Sequence, residues 1–311
     1  MDALLASLRA TGEPTRLRLL ALSAHGELSV TEFTQILGQS QPRVSRHLKL
    51  LVEAGLLERF REGALVFYRL ATQGEAAHFA RTLVDLLPAD DTALNRDLQR
   101  LQQIHERRRE LAESYFNQNA VEWNRIRQLH VPEAEVEQEL IKVIGENPVE
   151  SYVDIGTGTG RILALFAHQV TRGIGIDQSA EMLAVARAYL EQESLKNVHV
   201  RKGDMYNMPF DDESVDLATV HLVLHYSQDP TPVVEEAARV LKPSGRLVIV
   251  DFAPHQEEKL RTDHNHLRLG FSDKEMKATM KAAGLTPGKT QSLEGDPLTV
   301  NIWHGTRRSV H

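Results

Sequence analysis

Seven consecutive residues, Asp154-Ile155-Gly156-Thr157-Gly158-Thr159-Gly160, carry the densest chemical signal in the 311-residue chain. Glycines at alternate positions let a backbone approach a ligand closely and set that ligand near a helix N-terminus. The pattern is G-x-G-x-G with an acid two places ahead, whereas a dinucleotide fingerprint reads G-x-G-x-x-G. A short apolar strand over 173–176 delivers Asp177, 21 positions after Gly156. A carboxylate there can accept both hydroxyls of a ribose. Loop and acid together point to a nucleoside-bearing ligand.

A second set lies near the front. Over residues 40–54 the apolar positions Val44, Leu48, Leu51 and Val52 share one helical face, which leaves Gln41, Arg43, Ser45, Arg46, His47 and Lys49 outside. Ser40 is a plausible cap, Pro42 is tolerated in a first turn, and Gly55 closes the helix. Guanidinium groups suit guanine edges and phosphates, and Gln suits adenine.

The elements that must hold these groups follow from punctuation. Pro14, Leu17, Leu20 and Leu22 predict a helix over 14–25, ended by Gly26. Ser29 or Thr31 caps a second helix from Glu32 to Leu37, stopped by Gly38. Leu57 and Arg59, then Val66, Tyr68 and Leu70, flank a turn at Arg61-Glu62-Gly63-Ala64 and predict a hairpin. Together they make a mostly α winged helix-turn-helix over 1–87, with the polar helix in the major groove and the hairpin, with Arg61, on backbone or minor groove. A small helical domain with a solvated basic face is the alternative from the pattern alone.

Residues 88–130 read as a helical connector with a role in dimerisation. Pro88-Ala89-Asp90-Asp91 is a break, and Leu94, Leu98 and Leu101 fit a seam that His105 and Arg108 interrupt. The Arg107-Arg108-Arg109 run reads as a solvated face. The aromatic stretch Tyr115 to Trp123 suits either packing or a lid over a ligand. Residues 131–311 read as one further domain, and from 151 strands and helices alternate: strands at 151–155, 173–176, 198–201, 215–221, 246–252, 286–292 and 298–304, with helices at 161–170, 180–190, 232–241 and 273–283. Alternation predicts an α/β, Rossmann-like sheet of parallel strands with ligands beyond their carboxyl ends.

Bulk properties bound the function. Length suits two domains plus a connector. The net charge is −7, but residues 1–72 hold nine Lys/Arg and seven Asp/Glu, which leaves about −9 on the rest; nucleic-acid contact is therefore expected at the front. There are no cysteines, so disulfides and thiolate metal sites are excluded, in keeping with a reducing cytoplasm. No apolar run approaches the ~18–20 residues of a membrane span, and the first residues lack a secretory signal.

Two resemblances sharpen this reading. Residues 13–20, 26–30, 44–57 and 61–70, including Val44-Ser45-Arg46-His47-Leu48, closely resemble the ArsR family of dimeric repressors. The resemblance implies a homodimer on a two-fold DNA operator. Many relatives sense metals through a cysteine pair; here those places hold Ser29 and Thr31, and the last helix offers only His78, so no metal site is expected. The loop at 154–160, Asp177, Gly203-Asp204-Met205, the segment 216–226 and the run Arg239 to Asp251 resemble class I S-adenosylmethionine methyltransferases, closest to the UbiE type. The resemblance implies S-adenosylmethionine or S-adenosylhomocysteine held by Asp154, Gly156, Thr157, Gly158, Gly160, Asp177, Gln178, Met182, Gly203, Asp204, Met205 and His221, with Asp204 beside the adenine. An NAD domain is the main rival.

Methyl transfer is an in-line displacement that needs position and a dry site more than a nucleophilic side chain. His221 and His225 are candidate bases if the acceptor loses a proton; packing at a strand end is their alternative. His255, His264 and His266 read as lining for a small-molecule acceptor rather than a metal site. The expected function is a DNA-binding regulator whose cofactor domain senses its ligand or methylates a small molecule. The alternative is primarily an enzyme autoregulated by its own DNA-binding head. A nucleic-acid methyltransferase is weakest, because 221–226 lacks an Asn-Pro-Pro-Tyr segment and there is no cysteine nucleophile.

Overall fold

The computed structural model describes residues 1–62, 65–72, 74–127 and 131–308, with the side chains of 2, 3, 113 and 115–127 left aside. Gly63 and Ala64 of the expected turn, and the side chains of the aromatic stretch, thus lie outside the described residues. Contacts divide the chain into two compact units, Met1–Leu111 and Ala112–His311.

The first unit runs α1 (Asp2–Thr11), α2 (Pro14–Ser23), β1 (Leu28–Ser29), α3 (Val30–Leu37), α4 (Gln41–Glu53), β2 (Leu57–Glu62), β3 (Leu65–Leu70), α5 (Gly74–Asp85) and the start of α6 (Thr92–Arg127). Pro14 opens α2 and Glu13 caps it, accepting the Arg16 amide at 3.0 Å. Ser29 and Glu32 form a reciprocal capping box on α3, which satisfies two amides that helix geometry orphans. Gly38, at φ +63°, ends α3 in the left-handed region that favours glycine. The three strands order β1-β3-β2, antiparallel throughout. Leu19, Leu20, Phe33, Ile36, Val44, Leu48 and Leu51 form the core. Helix α1, unread in the sequence, adds to the expected elements.

Leu101 and Ile104 of α6 join this core. Arg108, expected to break the seam on a solvated face, is half-buried and paired: its guanidinium holds Glu32 at 2.8 Å and the Glu27 carbonyl at 2.9 Å. Arg107 stays exposed and Arg109 pairs with Glu106. The residues expected as two helical segments, 92–112 and 115–124, form one helix.

The second unit runs from the rest of α6 through α7 (Glu133–Ile144), β4 (Val149–Ile155), α8 (Arg161–Leu165), β5 (Val170–Asp177), α9 (Ala180–Gln192), β6 (Val198–Lys202) and β7 (Val215–His221). A 3-10 turn (Leu224–Tyr226), α10 (Thr231–Val240), β8 (Leu241–Phe252), α11 (Lys259–His264) and α12 (Asp273–Ala282) follow, then β9 (Leu285–Pro287), β10 (Gln291–Leu293) and β11 (Val300–Arg307). The sheet orders β6-β5-β4-β7-β8-β11-β10, with β9 also on β11. Strands β4 to β8 are parallel, as alternation predicts. The last three differ: β11 runs antiparallel to β8, and β9 and β10 antiparallel to β11. They follow one another without the crossover helix that a parallel connection needs. Helix α8 is half its expected length, because it ends at Leu165 in a turn over 166–169 and Val170 already begins β5, and 286–292 splits into two short strands.

Successive residues of the central strands serve opposite faces. Tyr152, Leu217 and Val248 enter one core cluster; their neighbours Val153, Ala218 and Ile249 enter the other. A sheet buried on both faces explains why these strands read as continuous apolar runs.

Candidate functional site

The chain leaves β4 toward β5 on one side of the sheet and returns to β7 on the other, so the carboxyl end of β4 is a topological switch point where α/β folds place ligands. The glycine loop sits there. Gly156, Gly158 and Gly160 take φ values of +69°, +53° and +78°. At Gly156 an added Cβ would stand 2.5 Å from Val223 Cγ2.

Asp154 anchors this loop from beneath. It is fully buried, and accepts the Thr157 hydroxyl at 2.7 Å and the Thr219 hydroxyl at 2.6 Å. Burial pushes its carboxyl up to about 6, against the lowering effect of those hydroxyls. Asp177, the last residue of β5, closes the loop from the side. Its two oxygens accept the amides of Gly158 at 2.9 Å and Ser179 at 2.8 Å. The carboxylate thus stands within hydrogen-bond reach of the loop before any ligand is considered. Ser179 in turn caps α9 through the Met182 amide.

A cavity of about 630 Å³ opens over these groups, within the usual range of small-molecule sites. Of the residues expected at a cofactor, Asp154, Gly156, Thr157, Gly158, Asp177, Gln178, Met182, Gly203, Met205 and His221 line it. Gly160 and Asp204 do not. Gly160 instead lets α8 meet α9, since a Cβ there would lie 3.1 Å from Ala186 Cβ. Asp204 is exposed and bound to Gln178 Nε2 and the Tyr206 amide, each at 3.0 Å. His225, a candidate base, is buried behind the wall: Tyr226 lines the cavity and the two rings lie 4.3 Å apart. Leu222, next to His221, holds φ +53°, an unusual conformation for a branched side chain and a place where strain is stored beside the site.

The lining also contains residues that pattern reading missed. Glu133 and Glu137 of α7 join Asp154 and Asp177, against one cation, Arg161. Arg161 is engaged by Glu137 at 3.2 Å and Glu133 at 3.7 Å. Only the adjacency of Arg161 to the glycine loop could have flagged it; nothing in the α7 sequence distinguishes its acids from a solvated face.

The polar helix presents a second surface. On α4, Gln41, Arg43, Arg46 and Lys49 are exposed, as is the cap Ser40, while Val44, Leu48 and Leu51 are buried. Ser45 and His47 are half-buried. His47 faces Glu13 at 3.6 Å, and its pKa is lowered by burial, with Glu13 opposing. Lys49 forms an i,i+4 pair with Glu53. Arg61 is exposed on β2. The outward face of α4 therefore carries exposed arginines, Arg43 and Arg46, at the position a major-groove helix would use.

Comparisons with known proteins bear on both surfaces. Residues 13–59 match the bacterial regulatory proteins of the arsR family. Residues 153–249 match the methyltransferase domain family. The chain joins an arsR-family helix-turn-helix to a class I methyltransferase domain. The chain is 35% identical over 115 residues to the methyltransferase YcgJ of Bacillus subtilis, covering 37% of this chain and 46% of the relative. It is 33% identical over 114 residues to the demethylmenaquinone methyltransferase of Lactococcus lactis, covering 36% and 45%. A 37.1 kDa transposon protein of Streptomyces fradiae is 40% identical over 113 residues, covering 35% and 32%. These matches span between 32% and 46% of each relative. The crystal structure of YcgJ superposes with a TM-score of 0.52 at 22% identity, covering 57% of this chain and all of that one. A methyltransferase from Bacillus halodurans gives 0.52 at 19%, covering 56% and 99%. Both share the fold of the methyltransferase domain. No helix among the described residues is long and apolar enough to cross a membrane.

Proposed function

We propose that this protein is a dimeric DNA-binding regulator, a repressor, whose methyltransferase domain takes S-adenosylmethionine or S-adenosylhomocysteine and whose hold on DNA changes with that ligand. Residues 1–87 act as the DNA head, 88–130 as connector and dimerisation segment, and 131–311 as the cofactor domain. The observation that carries the cofactor half is Asp177, bound into the glycine loop at the mouth of an acid-lined cavity. Two ribose hydroxyls can engage that carboxylate. Asp204 at the rim can accept an adenine amino group from Gln178's place. The surplus of carboxylates over Arg161 favours a ligand with an ammonium and a sulfonium over an anionic one. When bound, S-adenosylmethionine supplies an activated methyl group; the chain's residues orient it and exclude water.

The DNA half rests on the exposed Gln41, Arg43 and Arg46 of α4, supported by Ser40, Ser45, His47, Lys49 and Arg61, on a two-fold double-stranded operator. A regulator of this kind works in the cytoplasm, where its operator is. The test is fluorescence anisotropy on the DNA upstream of its own gene, at fixed salt, with and without each ligand. A ligand-dependent change in affinity is expected. Unchanged affinity at saturating ligand sinks the coupling. Calorimetry with Asp177→Ala tests the cofactor half on its own: the variant should lose affinity, and unchanged affinity refutes the role given to Asp177. The buried Asp251–His225 pair favours a second reading, in which the domain also methylates a small molecule and the head controls its expression. Persistent failure of transfer to the metabolites of neighbouring genes would count against it.

A further inference from the structure

Three charged side chains of the cavity wall have no individual role so far: Glu133 and Glu137 of α7, and Arg161, the first residue of α8 after the glycine loop. The two acids are one helical turn apart and share a face of α7. Val136, Leu140 and Ile144 anchor the same helix in the core. The Arg161 guanidinium donates to both oxygens of Glu137 and lies 3.7 Å from Glu133. All three side chains therefore meet at one place in the lining.

Strand order says which end of a ligand meets them. The lining leaves the sheet at the neighbouring strands β6, β5, β4 and β7. Gly203 and Met205 follow β6, Asp177 ends β5, the glycine loop and Arg161 follow β4, and His221 ends β7. A nucleoside whose ribose meets Asp177 and whose adenine points to Asp204 fills the β5–β6 half. Whatever the ribose carries on its other side extends toward β4 and Arg161. In S-adenosylmethionine and S-adenosylhomocysteine that part is an amino acid, with one carboxylate and one ammonium.

Each of those charges needs a partner once it leaves water. For the carboxylate, Arg161 is the one Lys or Arg among the described lining residues. For the ammonium the lining offers four acids. Asp154 lies beneath the loop with each oxygen already accepting a hydroxyl, and Asp177 is taken by the ribose. Glu133 and Glu137 remain. Their pairing with Arg161 is no obstacle. The Arg161 side chain is 50% exposed, and an ion pair so open to water is worth little, so sharing it with a ligand costs little. A guanidinium–carboxylate fork formed inside a filled cavity is stronger.

We propose that Arg161, Glu133 and Glu137 form a subsite that reads the zwitterion of the ligand, Arg161 taking its carboxylate and the two glutamates its ammonium. The proposal rests on the reading of the cavity as a cofactor site and adds what that site selects. The domain answers to a nucleoside that still carries its amino-acid end. 5′-Methylthioadenosine, the same thionucleoside without that end, leaves the subsite empty and binds weakly. The triad does not separate S-adenosylmethionine from S-adenosylhomocysteine, since both carry the zwitterion.

Calorimetry on the full-length protein tests this with S-adenosylhomocysteine, S-adenosylmethionine, decarboxylated S-adenosylmethionine, which keeps the ammonium and sulfonium, and 5′-methylthioadenosine. Wild type should prefer S-adenosylhomocysteine to 5′-methylthioadenosine, and S-adenosylmethionine to its decarboxylated form, each by about tenfold or more, the worth of a hydrogen bond to a charged group. Arg161→Met should erase the second preference and weaken S-adenosylhomocysteine by about the same factor, with 5′-methylthioadenosine affinity unchanged. Arg161→Lys, which keeps the charge but loses the fork, should fall between. Glu133→Gln combined with Glu137→Gln should weaken S-adenosylmethionine and its decarboxylated form alike, because both keep the ammonium, and again spare 5′-methylthioadenosine. A triad that merely ties α7 to α8 predicts that Arg161→Met weakens S-adenosylhomocysteine and 5′-methylthioadenosine equally, and that result overturns the proposal. Unchanged S-adenosylhomocysteine affinity in Arg161→Met overturns it too, as does a preference over the decarboxylated form that survives in that variant. The failures are distinguishable: a wild type that binds 5′-methylthioadenosine as tightly as S-adenosylhomocysteine overturns this proposal alone, and one that binds none of the ligands overturns the cofactor reading as well.

Discussion

Gly156→Ala puts a magnitude on the loop geometry. The residue holds φ +69°, where a side chain with a Cβ costs about 1–2 kcal/mol. The new Cβ would also stand 2.5 and 2.7 Å from the two methyl carbons of Val223, well inside contact distance. Val223 packs against the core cluster that includes Val153 and Ile155, so it cannot swing away freely. Overpacking of this kind costs about 1–3 kcal/mol. Backbone and packing together come to about 2–5 kcal/mol. The loss appears as lowered stability if the loop stays in place, or as lowered ligand affinity if the loop shifts into the cavity. Urea unfolding of the methyltransferase transition and calorimetry with S-adenosylhomocysteine measure the two, and their sum is the quantity at stake. Val223→Ala in the same chain removes both offending methyls. It should return the packing part, about 1–3 kcal/mol, and leave the backbone part, so the double variant is non-additive. Unchanged stability and affinity in Gly156→Ala, or strict additivity in the pair, would refute the reasoning.

Four further outcomes are expected. Arg46→Ala should weaken DNA binding by about 1–3 kcal/mol if it reads a base, with ligand affinity intact; equal anisotropy curves for variant and wild type would remove it from the recognition surface. Asp154 has a folded pKa raised from 3.8 to about 6, so its protonated form favours folding and that contribution fades as pH rises from about 4 through 6. Asp154→Asn should flatten this fall, worth about 3 kcal/mol across the window, in urea titrations at several pH values; a parallel pH profile would contradict it. Arg18→Met strands the carboxylate of Asp97, 1% exposed and now 2.5 Å from the guanidinium, and should cost the first unit about 3–5 kcal/mol in chemical unfolding. Ser29→Ala removes half of the α3 capping box and should cost about 1 kcal/mol, read as a lowered Tm of the same unit.

What the sequence revealed depended on how local the signal was. The glycine loop, Asp177 and strands such as 215–221 were legible because backbone approach and two-sided burial each leave a mark on consecutive residues. The capping box was half legible: Ser29 stood as one of two candidates until Glu32 was seen to bond back to its amide. Gly160 and Asp204 were legible as motif members but not in their roles, because whether a glycine faces a ligand or a neighbouring helix is decided by α9, 26 residues away at Ala186. Glu133, Glu137 and Asp251 were not legible. Each acts through a partner distant in sequence, and an isolated acid carries no period, cap or turn that would announce one.

Helix α6 makes the same point from the opposite side. Its leucine seam was visible, and Arg108 looked like the place where the seam failed. In the folded unit the interruption is the purpose of the residue. Arg108 closes on Glu32, the very acid that caps α3, while Arg100 bonds the Ile36 carbonyl and Asp97 takes Arg18 of α2. Three polar ties from one helix therefore hold α2 and both ends of α3, and α3 leads directly through Gly38 into the recognition helix α4. Apolar packing alone is tolerant of small slides, whereas charge-assisted hydrogen bonds at fixed spacing are not. The arginines thus fix the rotation and register of α6 against the helices that aim Arg43 and Arg46, a constraint that a purely leucine seam would have left loose.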